Sequence, residues 1–145
     1  MAPPLRLHHV GFVVASIEAA MPGFAHSLAA EWNGEIIHDP LQKVKVAFLT
    51  TSVGDAQIEL VEPAGDDSPV LKFLQQHGGG LNHVCYEVED LEQELAAFRA
   101  RGAVIAKRPK PAVAFGGRRI AWILTAEKLL VELLERTLPA QTVRS

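Results

Sequence analysis

Two octapeptides decide the fold of this chain. Residues 7–14 read LHHVGFVV and residues 81–88 read LNHVCYEV, so leucine, histidine, valine and a final valine recur at an offset of 74 residues. The same offset places Phe24 on Phe98. A fixed internal period of this kind indicates a duplicated supersecondary unit.

The repeat continues at the far end of each half. Residues 46–49 (VAFL) match residues 120–123 (IAWI) at the same offset. After a one-residue deletion, residues 58–62 (IELVE) match residues 131–135 (VELLE). Matches that keep one order with one gap argue for a duplicated module rather than for chance.

Hydrophobic periodicity predicts a βαβββ order in the first module. Residues 5–14 are rich in β-branched and apolar side chains and predict a strand. Residues 16–30 predict a helix that Ser16 caps and that Pro22 weakens or kinks. Three strands are expected next, near 32–37, 44–50 and 56–61.

The second module repeats this order after a turn-rich link with a short helix near residues 70–76. Residues 81–88 predict a strand, and residues 90–101 predict a helix with Asp90 as N-cap and Gly102 as C-terminal stop. The remaining strands are expected near 104–107, 119–124 and 129–134.

The predicted fold is therefore α+β, with two tandem βαβββ modules whose strands curl into an open, cup-like barrel around a metal site. We expect residues 1–145 to form a single domain. Its parts are module one at about 5–62, a linker helix segment at 63–80, module two at about 81–136 and a tail at 137–145.

Composition excludes several classes of partner. The chain is 48% hydrophobic and 21% charged, with a net charge of -3 and interspersed signs, so we expect neither a nucleic-acid nor a membrane partner. Cys85 is the single cysteine, so no intrachain disulfide is possible. No apolar run reaches the ~18 residues of a membrane span. We expect a cytoplasmic protein.

Two histidines and two glutamates occupy matched positions of the repeat. His9 and His83 lie on the first strand of their modules, and Glu59 and Glu132 lie on the last. A lone histidine in a strand is more often a core residue, and a lone glutamate usually faces water. Recurrence of both favours a site for one divalent metal, with Zn, Ni, Co, Mn and Fe(II) all compatible with these ligands.

Residues 5–135 resemble the vicinal-oxygen-chelate superfamily, which includes glyoxalase I, extradiol dioxygenases, fosfomycin-resistance proteins and methylmalonyl-CoA epimerase. The resemblance is strongest to methylmalonyl-CoA epimerase. It rests on residues 44–49 (VKVAFL), 58–63 (IELVEP), 67–74 (DSPVLKFL) and 80–90 (GLNHVCYEVED). The resemblance implies that the metal ligands are His9 (and not His8), Glu59, His83 and Glu132.

The resemblance also implies an activity. It predicts proton abstraction and return next to a carbonyl of a small-molecule substrate, possibly an acyl-CoA, with the metal stabilising the enolate. Glu59 and Glu132 would be the catalytic bases on the two faces of the substrate. Glyoxalase-I-type enzymes use such a pair as well, so this feature does not discriminate. Homodimers are common in the superfamily.

Two departures leave the reaction open. An acid that some epimerases carry on the strand corresponding to residues 44–48 is absent, and only Lys43 and Lys45 are ionisable there. The family's His-Pro-Lys turn is missing from residues 124–130. The alternatives are a glyoxalase I-like lyase and a non-enzymatic resistance protein that binds a drug or natural product. Four intact ligand positions count against the second.

A glycine-rich loop completes the set of candidate residues. Residues 115–119 read FGGRR, which predicts a mobile loop with two cations. Phe115, Gly116, Arg118 and Arg119 are candidates for contacts with a substrate carboxylate or with CoA phosphates. A solvated turn that leads into a strand explains the same residues equally well.

Overall fold

The computed structural model of the protein describes residues 5–52 and 56–136. These ranges contain three α-helices and nine β-strands. The chain divides into two compact units. The first unit is His9–Asn82, and the second comprises the described residues up to His8 and from His83 onward. The tail expected at 137–145 lies outside the described residues.

The first unit packs a helix on a mixed sheet. Its elements are β1 (Arg6–Val13, from His9 on), α1 (Ile17–Leu28), β2 (Glu31–Trp32), β3 (Ile37–Asp39), β4 (Val44–Thr50), β5 (Gln57–Pro63) and α2 (Leu71–His77). The strand order is β2-β4-β5-β1, with β3 also paired to β4. β1 and β5 are parallel, and the other pairs are antiparallel.

The second unit repeats this arrangement. Its elements are β6 (Gly80–Val88, from His83 on), α3 (Leu91–Ala100), β7 (Val104–Pro111), a short 3₁₀ helix (Val113–Phe115), β8 (Arg119–Leu124) and β9 (Leu130–Glu135). The order is β6-β9-β8-β7, with β6 and β9 parallel and the other pairs antiparallel. The predicted α+β class is confirmed, and each unit has an open sheet that begins strand–helix as the repeat requires.

Helix capping follows the sequence signals. The Ser16 Oγ accepts a hydrogen bond from the Ala19 N–H at 3.2 Å, and the Asp90 Oδ1 accepts one from the Gln93 N–H at 3.0 Å. Both predicted N-caps are therefore confirmed. α1 continues through Pro22, although proline removes one helical donor.

Two strands differ from the sequence prediction. The strand expected at 32–37 is divided into β2 and β3, because the Asn33 Oδ1 accepts from the Glu35 N–H at 2.9 Å and Gly34 adopts a φ of 87°. This Asx turn breaks the extended backbone. β7 runs beyond residue 107 to Pro111, because it is the last strand in its order and its bulged register tolerates proline.

Each helix covers one face of its own sheet. In the first unit, Ile17 and Met21 of α1 pack with Leu49 and Leu60. In the second, α3 contributes Leu91, Leu95 and Phe98 to a cluster with Ile123 and Leu133. Successive side chains of a strand point to opposite faces. The residues between these core positions therefore lie on the face away from the helix: Phe48, Glu59, Trp122 and Glu132.

A glycine is required where the link leads into β6. Gly79 has a φ of 102°, and a Cβ built on it would lie 2.7 Å from the Val13 carbonyl oxygen. Gly78 beside it has a φ of 73° and no atom within 4 Å of its Cβ position. Alanine substitutions at Gly78 and Gly79 therefore distinguish the cost of backbone strain from the cost of a steric clash.

We expect Gly79→Ala to destabilise the protein by more than about 2 kcal/mol, because strain and a backbone clash combine. Gly78→Ala is the matched control and should cost only ~1 kcal/mol, since it adds strain alone. Urea denaturation followed by circular dichroism measures both. Equal losses for the two variants would show that the approach of Val13 does not constrain position 79.

Candidate metal centre

A buried histidine–glutamate pair lies in the first unit. The His9 Nε2 is 3.2 Å from the Glu59 Oε1, and the two residues are 0% and 4% exposed. β1 and β5 run parallel, and Gly11 is the Cα partner of Glu59. His9 lies two residues before Gly11 and therefore shares its face of the strand.

An equivalent pair lies in the second unit. The His83 Nε2 is 3.4 Å from the Glu132 Oε1, and both residues are buried. β6 and β9 are again parallel, and Cys85 is the Cα partner of Glu132. The repeat thus reproduces the strand pairing, the face and the atoms of the first pair.

The spacing within each pair fits ligation of a common metal ion. Ligand atoms about 2.1 Å from a metal lie about 3.0 Å apart at right angles and about 3.4 Å apart at the tetrahedral angle. The distances of 3.2 Å and 3.4 Å fall in this range. A direct ion pair also fits both distances. Imidazole nitrogen with carboxylate oxygen suits Zn, Fe, Co, Ni or Mn.

An aromatic ring lies against each histidine. The Phe48 ring centroid is 5.6 Å from that of His9, and the Trp122 ring centroid is 4.7 Å from that of His83, both nearly perpendicular. Phe48 is the Cα partner of Glu59, and Trp122 is that of Glu132. Sequence reasoning gave these aromatic residues no role. Their match to each other in the repeat was the signal that could have identified them as neighbours of the histidines.

Arg119 is held by two carboxylates. Its guanidinium donates to Glu135 through Nε at 3.0 Å and Nη2 at 3.1 Å, and to Glu92 at 2.9 Å and 3.1 Å. The Glu135 Oε2 also accepts from the Arg119 backbone N–H at 2.8 Å. The hydrogen bonds to Glu135 and then Glu92 raise the pKa of Arg119. These contacts fix the position of the guanidinium, and its contact with a substrate stays a prediction.

The loop before β8 is closed by its own backbone. The Ala112 carbonyl accepts from the N–H groups of Phe115 and Gly117, and the Ala112 N–H donates to Arg118 O. Gly116 adopts a left-handed φ of 65°. The Phe115 ring is buried and contacts the His8 ring edge-on at 5.5 Å. The segment thus forms a tight turn, as the alternative interpretation expected, and its mobility stays a prediction.

Arg118 fastens this turn to β6. Its Nη1 donates to the Glu87 Oε2 at 3.0 Å, and its Nε donates to the Phe115 carbonyl at 3.3 Å. Arg6 and Arg136 approach the same Glu87 carboxylate at 3.7 Å. A substrate role for Phe115, Gly116 and Arg118 stays a prediction.

Lys43 and Lys45, the ionisable residues near β4 that the sequence analysis singled out, lie in different surroundings. The Lys43 Nζ donates to the Asp67 Oδ2 at 2.7 Å, and this hydrogen bond lowers the pKa of the Asp67 carboxyl. Lys45 is exposed and is the Cα partner of Glu62. Glu59 and Glu132 remain the acids beside the two histidines.

No helix in the described ranges has the length and apolarity to cross a membrane.

Comparison with known proteins identifies the family. Residues 8–122 match the model of the glyoxalase/bleomycin resistance protein/dioxygenase superfamily. The chain is 33% identical to an ethylmalonyl-CoA/methylmalonyl-CoA epimerase of Cereibacter sphaeroides, over 81% of this chain and 87% of that protein. It is 35% identical to the uncharacterized protein YqjC of Bacillus subtilis, over 90% and 91% of the two chains.

Solved structures share the whole fold. A hypothetical protein from Bacillus halodurans C-125 superposes with a TM-score of 0.80 at 30% identity, covering 94% of this chain and 97% of the other. The methylmalonyl-CoA epimerase from Mycobacterium tuberculosis superposes with a TM-score of 0.75 at 26% identity, covering 94% and 91%. The predicted resemblance is confirmed.

The Arg119 network predicts a pH dependence. The hydrogen bond from Arg119 lowers the pKa of Glu92 in the folded state. The pair therefore stabilises the fold at pH values above the unfolded pKa of about 4.3. This stabilisation is lost as the pH falls through the lower folded pKa. Glu92→Gln should cost less than about 1 kcal/mol at pH 7, because the pair is exposed, and this cost should shrink at pH 2.5.

Chemical denaturation of the wild type, Glu92→Gln and the control Glu94→Gln at both pH values measures this difference. Glu94 lies on the same helix and forms no ion pair within residues 5–52 and 56–136, so its variant controls for the loss of a helix carboxylate. A Glu92→Gln deficit that persists unchanged at pH 2.5 would show that the charge of Glu92 is not its cause.

Proposed function

We propose that this chain, which belongs to the glyoxalase/bleomycin resistance protein/dioxygenase superfamily, is a metal-dependent epimerase of the methylmalonyl-CoA epimerase kind. Its similarity to epimerases supports an isomerase function. The observation that carries the proposal is the buried histidine–glutamate pair that each module repeats on the face away from its helix.

The proposed metal centre joins the two pairs. His9, Glu59, His83 and Glu132 would together hold one divalent ion of Zn, Fe, Co, Ni or Mn. Repeat equivalence supports this, because the same atoms of the same residue types occur at the same spacing in both modules. When bound, the metal would polarise substrate oxygens and stabilise negative charge beside the reacting carbon.

The proposed bases are Glu59 and Glu132. An epimerase needs one group that removes a proton from one face of a carbon and another that returns a proton to the opposite face. Glu59 and Glu132 are equivalent by the repeat and buried, where a carboxylate acts in a weakly solvated environment. Each lies beside the histidine of its own module.

The proposed substrate is an acyl-CoA thioester with an acidic carbon next to its carbonyl. The names of the relatives support this class, since they include epimerases of methylmalonyl-CoA and ethylmalonyl-CoA. We extend the proposal to contacts from Phe115, Gly116, Arg118 and Arg119, whose loop precedes β8. The cytoplasmic location, the homodimer and the single-domain organisation expected from the sequence stay predictions.

Metal content tests the four-ligand centre. The wild type should retain about one divalent ion per chain after dialysis, measured by elemental analysis. His9→Ala and His83→Ala should each fall well below this value, because each removes one imidazole ligand. The control His38→Ala removes an exposed histidine on β3 and should leave the content unchanged. Full metal content in His9→Ala and His83→Ala would contradict the centre.

Hydrogen exchange tests the reaction. The wild type in heavy water should introduce deuterium next to the thioester carbonyl of methylmalonyl-CoA and convert each epimer into the other. Glu59→Gln and Glu132→Gln should each lower epimerisation at least about 100-fold, because one face lacks a base. Each variant should still exchange one epimer, and the two variants should retain opposite epimers.

The outcomes separate the candidate functions. Metal binding without exchange would contradict the epimerase and redirect the search to a glyoxalase-type substrate. Near-normal epimerisation by either glutamine variant would contradict the two-base assignment. A chain that binds no metal after reconstitution would favour the alternative of a non-enzymatic protein that binds a drug or natural product.

A further inference from the structure

The duplicated centre poses a problem of orientation. A malonyl-type acyl-CoA has a carboxylate on one side of its reacting carbon and a thioester on the other. Histidine–glutamate pairs that are equivalent by the repeat offer the same groups to both sides. Residues that differ between the modules must therefore fix which end of the substrate lies where.

Two matched positions beside the glutamates differ between the modules. Gly11 corresponds to Cys85, and each is the Cα partner of its module's glutamate. Cys85 is 0% exposed, and its thiol is only a weak hydrogen-bond donor. Phe48 corresponds to Trp122, and both rings are only partly buried. The aromatic pair therefore carries the difference that a ligand can contact.

Trp122 has a donor that Phe48 lacks. Its ring lies 4.7 Å from the His83 ring, and it is the Cα partner of Glu132. Across residues 5–52 and 56–136, no hydrogen bond occupies the Trp122 indole N–H. The other tryptophan, Trp32, donates its N–H to the Glu35 carbonyl at 2.8 Å. A partly buried tryptophan N–H usually has a partner.

We propose that the Trp122 indole N–H donates a hydrogen bond to the carboxylate of a malonyl-type acyl-CoA and so fixes the direction in which the substrate binds. This inference rests on the proposed function. A neutral N–H donor binds a charged oxygen more strongly than a neutral one, so the carboxylate is the preferred acceptor. Phe48 supplies only an apolar contact at the matched position.

Trp122→Phe tests the contact, because it keeps an aromatic ring beside His83 and removes only the donor and part of the indole. Titration calorimetry should show binding of methylmalonyl-CoA weakened roughly tenfold or more. Binding of propionyl-CoA, which lacks the carboxylate, should stay within about twofold. In turnover, KM for methylmalonyl-CoA should rise more than kcat falls.

Trp32→Phe is the matched control, since it removes a tryptophan whose N–H is already bonded within its own loop. It should bind both thioesters as the wild type does. Equal weakening for both ligands in Trp122→Phe would assign Trp122 to packing and overturn the proposal, as would no weakening for either.

The test separates this inference from the proposed function. Carboxylate-selective weakening together with absent deuterium exchange would support the Trp122 contact and overturn the epimerase alone. Normal exchange without carboxylate-selective weakening would overturn the Trp122 contact alone. A wild type that binds neither thioester would overturn both.

Discussion

The buried histidine–glutamate pair is the constraint on which each module depends. A carboxylate inside a sheet that also packs on a helix is tolerated only if the strand register keeps it on the other face. Leu60 packs towards α1 while Glu59 pairs with His9, and Leu133 packs towards α3 while Glu132 pairs with His83. A slip of one residue would exchange these environments, so the polar pair and the apolar core specify the same register.

In the second module, a network of ion pairs holds the end of β9. Glu135 accepts from both the backbone and the guanidinium of Arg119, and Arg119 also reaches Glu92 on α3. One arginine thus joins a strand to a helix. In the first module, the corresponding glutamate, Glu62, instead accepts from the Ile17 N–H at the start of α1 at 2.8 Å. The duplicated modules keep the glutamate and use it for different local contacts.

Much of this arrangement was predictable from the repeat, because equivalent strands give equivalent pairs. The strand break at Asn33 was not, since an Asx turn depends on a local side-chain hydrogen bond that hydrophobic periodicity does not detect. The contacts that close the loop at Phe115 were also not predictable. Its two glycines suggest mobility, whereas backbone hydrogen bonds around Ala112 and the ion pair of Arg118 with Glu87 hold it. These contacts depend on tertiary structure.

The two modules are alike in their histidine–glutamate pairs and differ at positions beside those pairs, and both features bear on the proposed chemistry. Duplication supplies two like acids, which suits a reaction that moves a proton between two faces of one carbon. Glu59 and Glu132 are the matched acids beside the histidines. In the proposed centre, pairs that are equivalent by the repeat would not by themselves distinguish the two ends of a substrate. Selection can therefore act on positions such as Phe48 and Trp122, which border the pairs without altering them.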